Sequence, residues 1–278
     1  MGTDAWAVER LDLDGYLARI GVPARPPGRA ALDELYEAHV RRFTFDNVDV
    51  LLEAHPGVDL DAVQAKFVGR GRGGYCFEHA TLLAAALERL GYDVERRLAR
   101  VGDPGVAPRT HAVVLVDVDG ERVLADPGFG MSLLRPITLA DGAEEAHGGW
   151  AYRLTRVETA ESGPAWELHR HRDGAWELMH TTDDLPVRPV DLALGHHWTS
   201  THPTTHFRHG LMLTRFGDGV HTTVTHAALT VRRPGEPTEH RPLEPGELAH
   251  WLTALEVPLT PDETARLLEV ADRLRRTA

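Results

Sequence analysis

The chain has 278 residues, 42% hydrophobic and 26% charged, with a formal net charge of −12. That is enough for a large core in two or three units, and an acidic balance with no Lys/Arg-rich stripe argues against nucleic acid and against an anionic membrane surface. The single cysteine excludes an internal disulfide framework and fits a reducing cytoplasm, Met1–Leu11 lacks the basic-then-apolar order of a signal peptide, and no run approaches a membrane span.

The first ninety residues read as helical. Leu13–Ile20 and Ala30–Arg41 carry apolar residues at spacings of three and four, among them Leu32, Leu35, Tyr36 and Val40. Phe43–Val50 reads as a partly extended apolar segment, and Asp61-Ala-Val-Gln64 resembles a capping box opening a helix through Phe67. A Gly-rich loop, Gly69–Gly74, leads to Cys76. From Ala80 to Leu90 the residues Leu82, Leu83, Ala86, Leu87 and Leu90 recur at helical spacing, with Gly91 as a stop. Cys76 thus falls at or near a helix N-terminus, where free N–H groups and the macrodipole favour a thiolate. Such short helices need one another, so a bundle over 1–92 is expected.

From Asp93 the period changes to two. His111–Val118 is rich in β-branched residues, Asp119-Gly120 is a hairpin turn, and Glu121–Asp126 returns antiparallel. A second hairpin is read at Ala165–His171, Asp173-Gly174 and Ala175–His180. Strands at this spacing suggest a barrel or sandwich over 93–195, with loops at Pro104–Arg109 and Asp141–Gly149. Beyond Gly195, Phe207–Phe216 and Val220–Arg232 read as strands, Glu247–Leu255 as a helix, and Thr260-Pro-Asp-Glu263 as the start of a last helix ending near Arg276. The expected class is α+β, with a third, α/β unit over 196–278.

The first hairpin allows a geometric deduction. With a two-residue turn, Val118 faces Glu121, so His111 lies opposite Gly128 and Asp126 opposite Val113. His111 and Asp126 then project from one face as diagonal neighbours, about 7–8 Å apart along the backbone and within side-chain reach. A carboxylate on one imidazole nitrogen fixes the tautomer and frees the other nitrogen for proton transfer. With Cys76 the set becomes a thiol, a base and an orienting acid, the ingredients of nucleophilic acyl transfer. Taken singly, each has an ordinary structural reading: a small buried hydrophobe, one strand histidine among 17, a turn residue before Pro127-Gly128.

Arg72-Gly-Gly-Tyr-Cys-Phe-Glu78, Thr110-His111 and Asp126-Pro-Gly-Phe-Gly130 resemble the three signatures of the arylamine N-acetyltransferases. Tyr16–Gly21, Phe43-Thr-Phe-Asp-Asn47 and Ser200–Phe207 resemble further family segments, so the likeness covers nearly the whole chain. It implies a helical bundle, a β-barrel and an α/β lid joined by an interdomain helix, with a cysteine-protease-like catalytic core. It also implies a ping-pong reaction in which Cys76 takes acetyl from acetyl-CoA and passes it to an arylamine or arylhydrazine, with His111 as base and Asp126 orienting it. Carried over by position, Phe45, Tyr75, Phe129 and Phe207 would shape the acceptor pocket, and Thr110, Gly128 and Gly130 would lie near CoA. Two departures stand out: Thr44 and Asp46 replace the usual proline and glutamate around Phe45, and Met131 follows Gly130 where another glycine is common, which affects the CoA path. Arg72 and Glu78 read as a charge pair bracing the helix start.

Three rival functions are weighed. An amide synthase closing a macrolactam from a carrier-bound chain would share the triad. A cysteine hydrolase would hand the acyl group to water. A metal-binding protein would use His202, His206 and His209, but Pro203 breaks their helix and no acidic or thiol ligand stands close by. The expected partners are an aromatic amine and acetyl-CoA as co-substrate, with no bound cofactor, metal, nucleic acid or membrane, and a homodimer as one open assembly.

Overall fold

The computed structural model describes residues 5–159 and 163–277; residues 1–4 of the segment read for a signal peptide lie outside it. The first third holds helices α1 Leu13–Ile20, α2 Arg29–Arg42, α3 Val48–Leu51, α4 Leu60–Gln64 and α5 Cys76–Arg89. Asp12 and Asp59 cap α1 and α4 by accepting from the N–H groups of Gly15 and Ala62. The cap of α4 is therefore Asp59, two residues ahead of the expected box, and its chain continues as a π turn over Ala65–Gly69.

Every residue of α5 from Cys76 to Leu87 is buried. A helix covered on all faces is core, so its polar members Glu78, His79 and Thr81 have to find partners inside the protein. Most of the molecule's main apolar cluster is built around α5, with Leu32, Tyr36, Phe43 and Phe67 on one side and Val113, Leu115 and Leu124 on the other.

The middle third is one antiparallel eight-stranded sheet. Its strands are β2 Asp93–Arg100, β3 Arg109–Val118, β4 Glu121–Ala125, β5 Ile137–Thr138, β6 Glu144–His147, β7 Trp150–Thr159, β8 Gly163–Arg172 and β9 Ala175–Asp183. They run in the order β5-β4-β3-β2-β9-β8-β7-β6, and β5 and β6 lie beside each other, so the sheet nearly closes into a barrel. The Asp119-Gly120 and Asp173-Gly174 turns have positive φ at both residues, the twist that suits a two-residue hairpin. Val118 pairs with Glu121 and Val114 with Ala125, the expected register. The loop expected at Asp141–Gly149 contains β6, which pairs with β7 through His147 and Trp150.

The last third contains α6 Pro189–Thr201, α7 His206–His209, β10 Met212–Gly217, β11 Val220–Thr225, β12 Ala228–Arg232, β13 Glu239–Pro242, α8 Glu247–Ala254 and α9 Pro261–Thr277. The strand expected at Phe207–Phe216 is split, because Asn47 ties the carbonyls of Phe207 and Gly210 into a turn before β10. Val220–Arg232 is two strands, turned where Thr225 Oγ1 accepts from the N–H groups of Ala227 and Ala228. At Thr260 and Glu263 each side chain accepts the other's backbone N–H, a reciprocal cap for α9.

The units interlock. A short strand β1, Phe45–Asp46, pairs with β10 at the edge of the last sheet, whose order is β1-β10-β11-β12-β13. Val48, Leu51 and Leu52 of α3 join Leu213, Leu248 and Leu267 in a second apolar cluster. The first ninety residues are thus not a self-contained bundle, and the division expected at 195/196 falls inside α6.

Candidate active site

Cys76 is the first residue of α5, with Tyr75 as its N-cap. Glu78 reaches back to accept the Tyr75 N–H at 3.1 Å. The N–H groups of Cys76 and Phe77 open the helix and have no acceptor within it. Gly128 lies against this turn: a Cβ there would sit 2.5 Å from Cys76 Cα, so only glycine permits the approach.

His111 and Asp126 meet as the hairpin register predicts, with His111 Nε2 and Asp126 Oδ1 3.0 Å apart and both side chains buried. Burial alone would push the imidazolium down, but the Asp126 charge and hydrogen bond, with a smaller contribution from Cys76, hold His111 well above the usual histidine range. Burial would likewise push the Asp126 carboxyl up, and the two neighbouring histidines hold it far below the usual carboxylate range. Thr110 is the extra residue of a bulge in β3 opposite the Ala99–Arg100 step of β2, and its carbonyl lies 3.7 Å from Cys76 Sγ. Three elements far apart in sequence therefore converge on one thiol.

Behind the helix start the expected Arg72–Glu78 pair does not form. Arg72 binds Asp49 at 2.5 Å and Glu263 at 2.9 Å, whereas Glu78 binds Lys66 at 2.7 Å and lies 3.2 Å from His55. The reason is direction: Glu78 turns back over its own helix N-terminus, where Lys66 from the π turn stands. Burial opposes its charge, yet Lys66 and then His55 hold its carboxyl down at about 2. Both residues brace the helix start, but with separate partners.

The aromatic residues expected around the acceptor fall in two groups. Phe45, Tyr75 and Phe207 are neighbours, with ring centroids 6.3 Å (Phe45–Phe207) and 5.5 Å (Tyr75–Phe207) apart. Phe129 stands edge-on to His111 at 5.1 Å. Asn47, which the sequence offers only as part of a motif, holds the first group together through the Phe207 carbonyl at 2.7 Å. Thr44 and Asp46, the two departures in that segment, bond to each other at 2.8 Å. Gly130 has φ of 94°, which favours glycine, and its carbonyl accepts from Thr214 and His221. Met131 is buried and lines a cavity of about 300 Å³ that also touches Trp150, Arg172, Arg232 and Arg233.

His202, His206 and His209 do not converge on a ligand. His202 stacks on Trp198 at 3.6 Å and bonds Thr204, His206 packs on Phe207, and His209 bonds the Pro203 carbonyl. Among the described residues the grouping with metal-ligand chemistry is His111, Asp126 and His180. There the ligand atoms face one another directly, at 3.0 Å for His111–Asp126 and 3.2 Å for His180–Asp126, an arrangement that handles protons. His180, on β9, is the member that sequence reading missed.

Comparison with known proteins finds relatives over most of the chain. A family model described as N-acetyltransferase matches residues 30–258. An arylamine N-acetyltransferase of Mycolicibacterium smegmatis is 39% identical over 241 residues, covering 83% of this chain and 85% of the relative. The solved structure of the arylamine N-acetyltransferase from Mycobacterium abscessus superposes with a TM-score of 0.91 at 32% identity, covering 98% of this chain and 99% of that one. The Mycobacterium marinum enzyme, solved in complex with CoA, gives 0.87 at 31% identity, covering 95% and 99%.

Proposed function

The chain belongs to the arylamine N-acetyltransferase family, and on that premise we propose that Cys76 carries the acetyl group between acetyl-CoA and an arylamine, with His111 and Asp126 as its base and orienting acid. The activity is acetyl-CoA-dependent N-acetylation. One observation carries the residue assignment: a buried His–Asp pair against the thiol at a helix N-terminus.

In this reading the Cys76 proton passes to His111, and the sulfur attacks the acetyl carbonyl of acetyl-CoA. The oxyanion is met by the N–H groups of Cys76 and Phe77, which the helix leaves free. The imidazolium returns its proton to the leaving CoA sulfur, giving free CoA and acetyl-Cys76. In the second half the amine attacks that thioester, His111 takes the amine proton, and the thiol is restored. Phe45, Tyr75, Phe129 and Phe207 offer apolar faces to an aromatic amine or hydrazine. The cavity beside Met131, with Arg172, Arg232 and Arg233 on its wall, suits the phosphates of CoA, the pantetheine passing Thr110, Gly128 and Gly130. Met131 then forms part of the wall. Among the described residues no helix is long and apolar enough to cross a membrane. A cytoplasmic site of action fits the single cysteine. The macrolactam-closing and hydrolytic alternatives find no support among relatives named arylamine N-acetyltransferase.

Incubation with acetyl-CoA alone should add one acetyl mass to the Cys76 peptide, and an arylamine should then remove it. Cys76→Ala should abolish both label and turnover while the fold persists. A label on another residue, or thioester consumption at one rate with and without amine, would overturn the assignment.

A further inference from the structure

We infer that His180 is a positioning residue for the acyl-transfer reaction, which holds the second oxygen of Asp126 as a neutral Nε2–H donor and so orients the carboxylate that serves His111. The inference rests on the reading of Cys76, His111 and Asp126 given above.

The geometry is that of a five-member line. His180 Nε2 lies 3.2 Å from Asp126 Oδ2, while Asp126 Oδ1 lies 3.0 Å from His111 Nε2. The His180 contact is bent away from the straight hydrogen-bond line, yet neither His180 Nε2 nor Asp126 Oδ2 has another hydrogen-bond partner among the described residues. Both side chains are fully buried, so leaving them apart would strand two polar atoms in the core. On the far side of the ring, His180 Nδ1 stands 3.1 Å from Thr182 Oγ1. A carboxylate can only accept, so the proton belongs on Nε2; Nδ1 then accepts from the threonine hydroxyl. Asp126 thereby selects the tautomer, and the Thr182 hydroxyl, able to donate or accept, completes it by donating to Nδ1.

The backbone is shaped for this contact. Leu168 of β8 pairs with His180, but His169 pairs with Leu178, so Met179 is an extra residue in β9. The bulge places the extra residue Met179 directly before His180, and both are buried with the rest of the strand through Asp183. The His180 ring packs 5.0 Å from His111 and 5.9 Å from Phe129.

The other titratable groups around the pair are Cys76 on α5, His169 on β8, Tyr36 on α2 and Tyr152 on β7. Burial, then the nearby Asp126 charge, keeps Tyr36 protonated, and burial keeps Tyr152 so. Burial also holds His180 below the ordinary histidine range, against the pull of Asp126. A neutral donor leaves the full carboxylate charge for His111 and keeps the carboxylate from rotating out of its plane. A second imidazolium would compete for that charge.

The test uses His180→Phe, which keeps the ring packing without the donor, and His180→Gln, which restores an N–H. Two readouts are taken on the full chain: the single-turnover rate of acetyl-Cys76 formation, and the pH dependence of Cys76 alkylation by iodoacetamide. His180→Phe should slow acetylation about ten- to a hundredfold, the cost of a misplaced catalytic group. It should also move the acid limb of alkylation up by about one pH unit. His180→Gln should recover most of the rate and return the limb. Wild-type rate and limb in a folded His180→Phe variant would overturn the inference, as would equal slowing in both variants with no movement of the limb, since that marks a packing role. If the wild-type protein forms no acetyl-Cys76, the functional reading fails instead; the alkylation profile still reports on His180.

Discussion

Two pairs of buried histidines meet at α5, one against the barrel and one that includes His79 of α5 itself, and of the four rings only His111 is lifted above its ordinary value. On the barrel side His111 and His180 share Asp126 between them. On the helical side Tyr16, His39, His79 and the Thr44 carbonyl form a chain with spacings of 3.0, 2.9 and 3.1 Å and no carboxylate in it. Burial alone pushes every imidazolium down, and on the helical side nothing reverses it: His39 falls well below its ordinary value and His79 to about 4. On the barrel side one buried carboxylate lifts His111 far above its ordinary value. The same residue type, equally buried, is held below its ordinary value in one place and above it in the other. The difference is a carboxylate in direct hydrogen-bond contact with His111, whereas the buried Glu78 near His79 only partly offsets burial.

The sharpest way to break the contrast is Asp126→Asn, which makes the barrel side resemble the helical side. Single-turnover acetylation of Cys76 should fall about 10³- to 10⁴-fold, as loss of tautomer control does in a comparable triad. The fold should remain, because an amide still fills the space between the two rings.

A smaller effect is expected from pH on the helical side. The folded pKa of His79 lies at about 4, below the unfolded value of about 6.5, so below pH 6.5 the unfolded chain binds more protons and stability falls as pH falls, levelling off near pH 4. His79 accounts for about 3 kcal/mol of that loss at most. Denaturant midpoints for wild type and His79→Gln should diverge at neutral pH and converge as pH drops to 4. Parallel midpoint curves would show that His79 does not titrate in this window. The smallest effect is expected from Tyr16→Phe, which removes the hydroxyl from His39 Nδ1. It should cost about 1 kcal/mol of stability and leave acetylation unchanged. A fall in rate would mean that the helical chain also serves the thiol.

Much of the site was legible because its signals are local. The Asp119-Gly120 turn sets the register of β3 and β4, and register with a period of two places His111 and Asp126 on one face. The run from Ala80 to Leu90 with Gly91 beyond it locates the helix that Cys76 begins. His180 was hidden by a bulge at Met179, because an added residue shifts the alternation that sequence reading relies on. Arg72 and Glu78 were mispaired for a related reason: sequence proximity suggested a bond, while the partners Asp49, Lys66 and Glu263 came from elsewhere.

By itself, then, the sequence determined the chemistry of the three side chains proposed to react, the hairpin that joins two of them, and the helix start that carries the third. Tertiary structure decided which surfaces meet: α5 against the barrel, β1 on the sheet of the last third, Asn47 under Phe207, and His180 beside Asp126. Turn geometry and side-chain period act over a few residues and leave a local trace. Contacts between distant elements depend on how every packed face is filled at once, and no short stretch of chain records that.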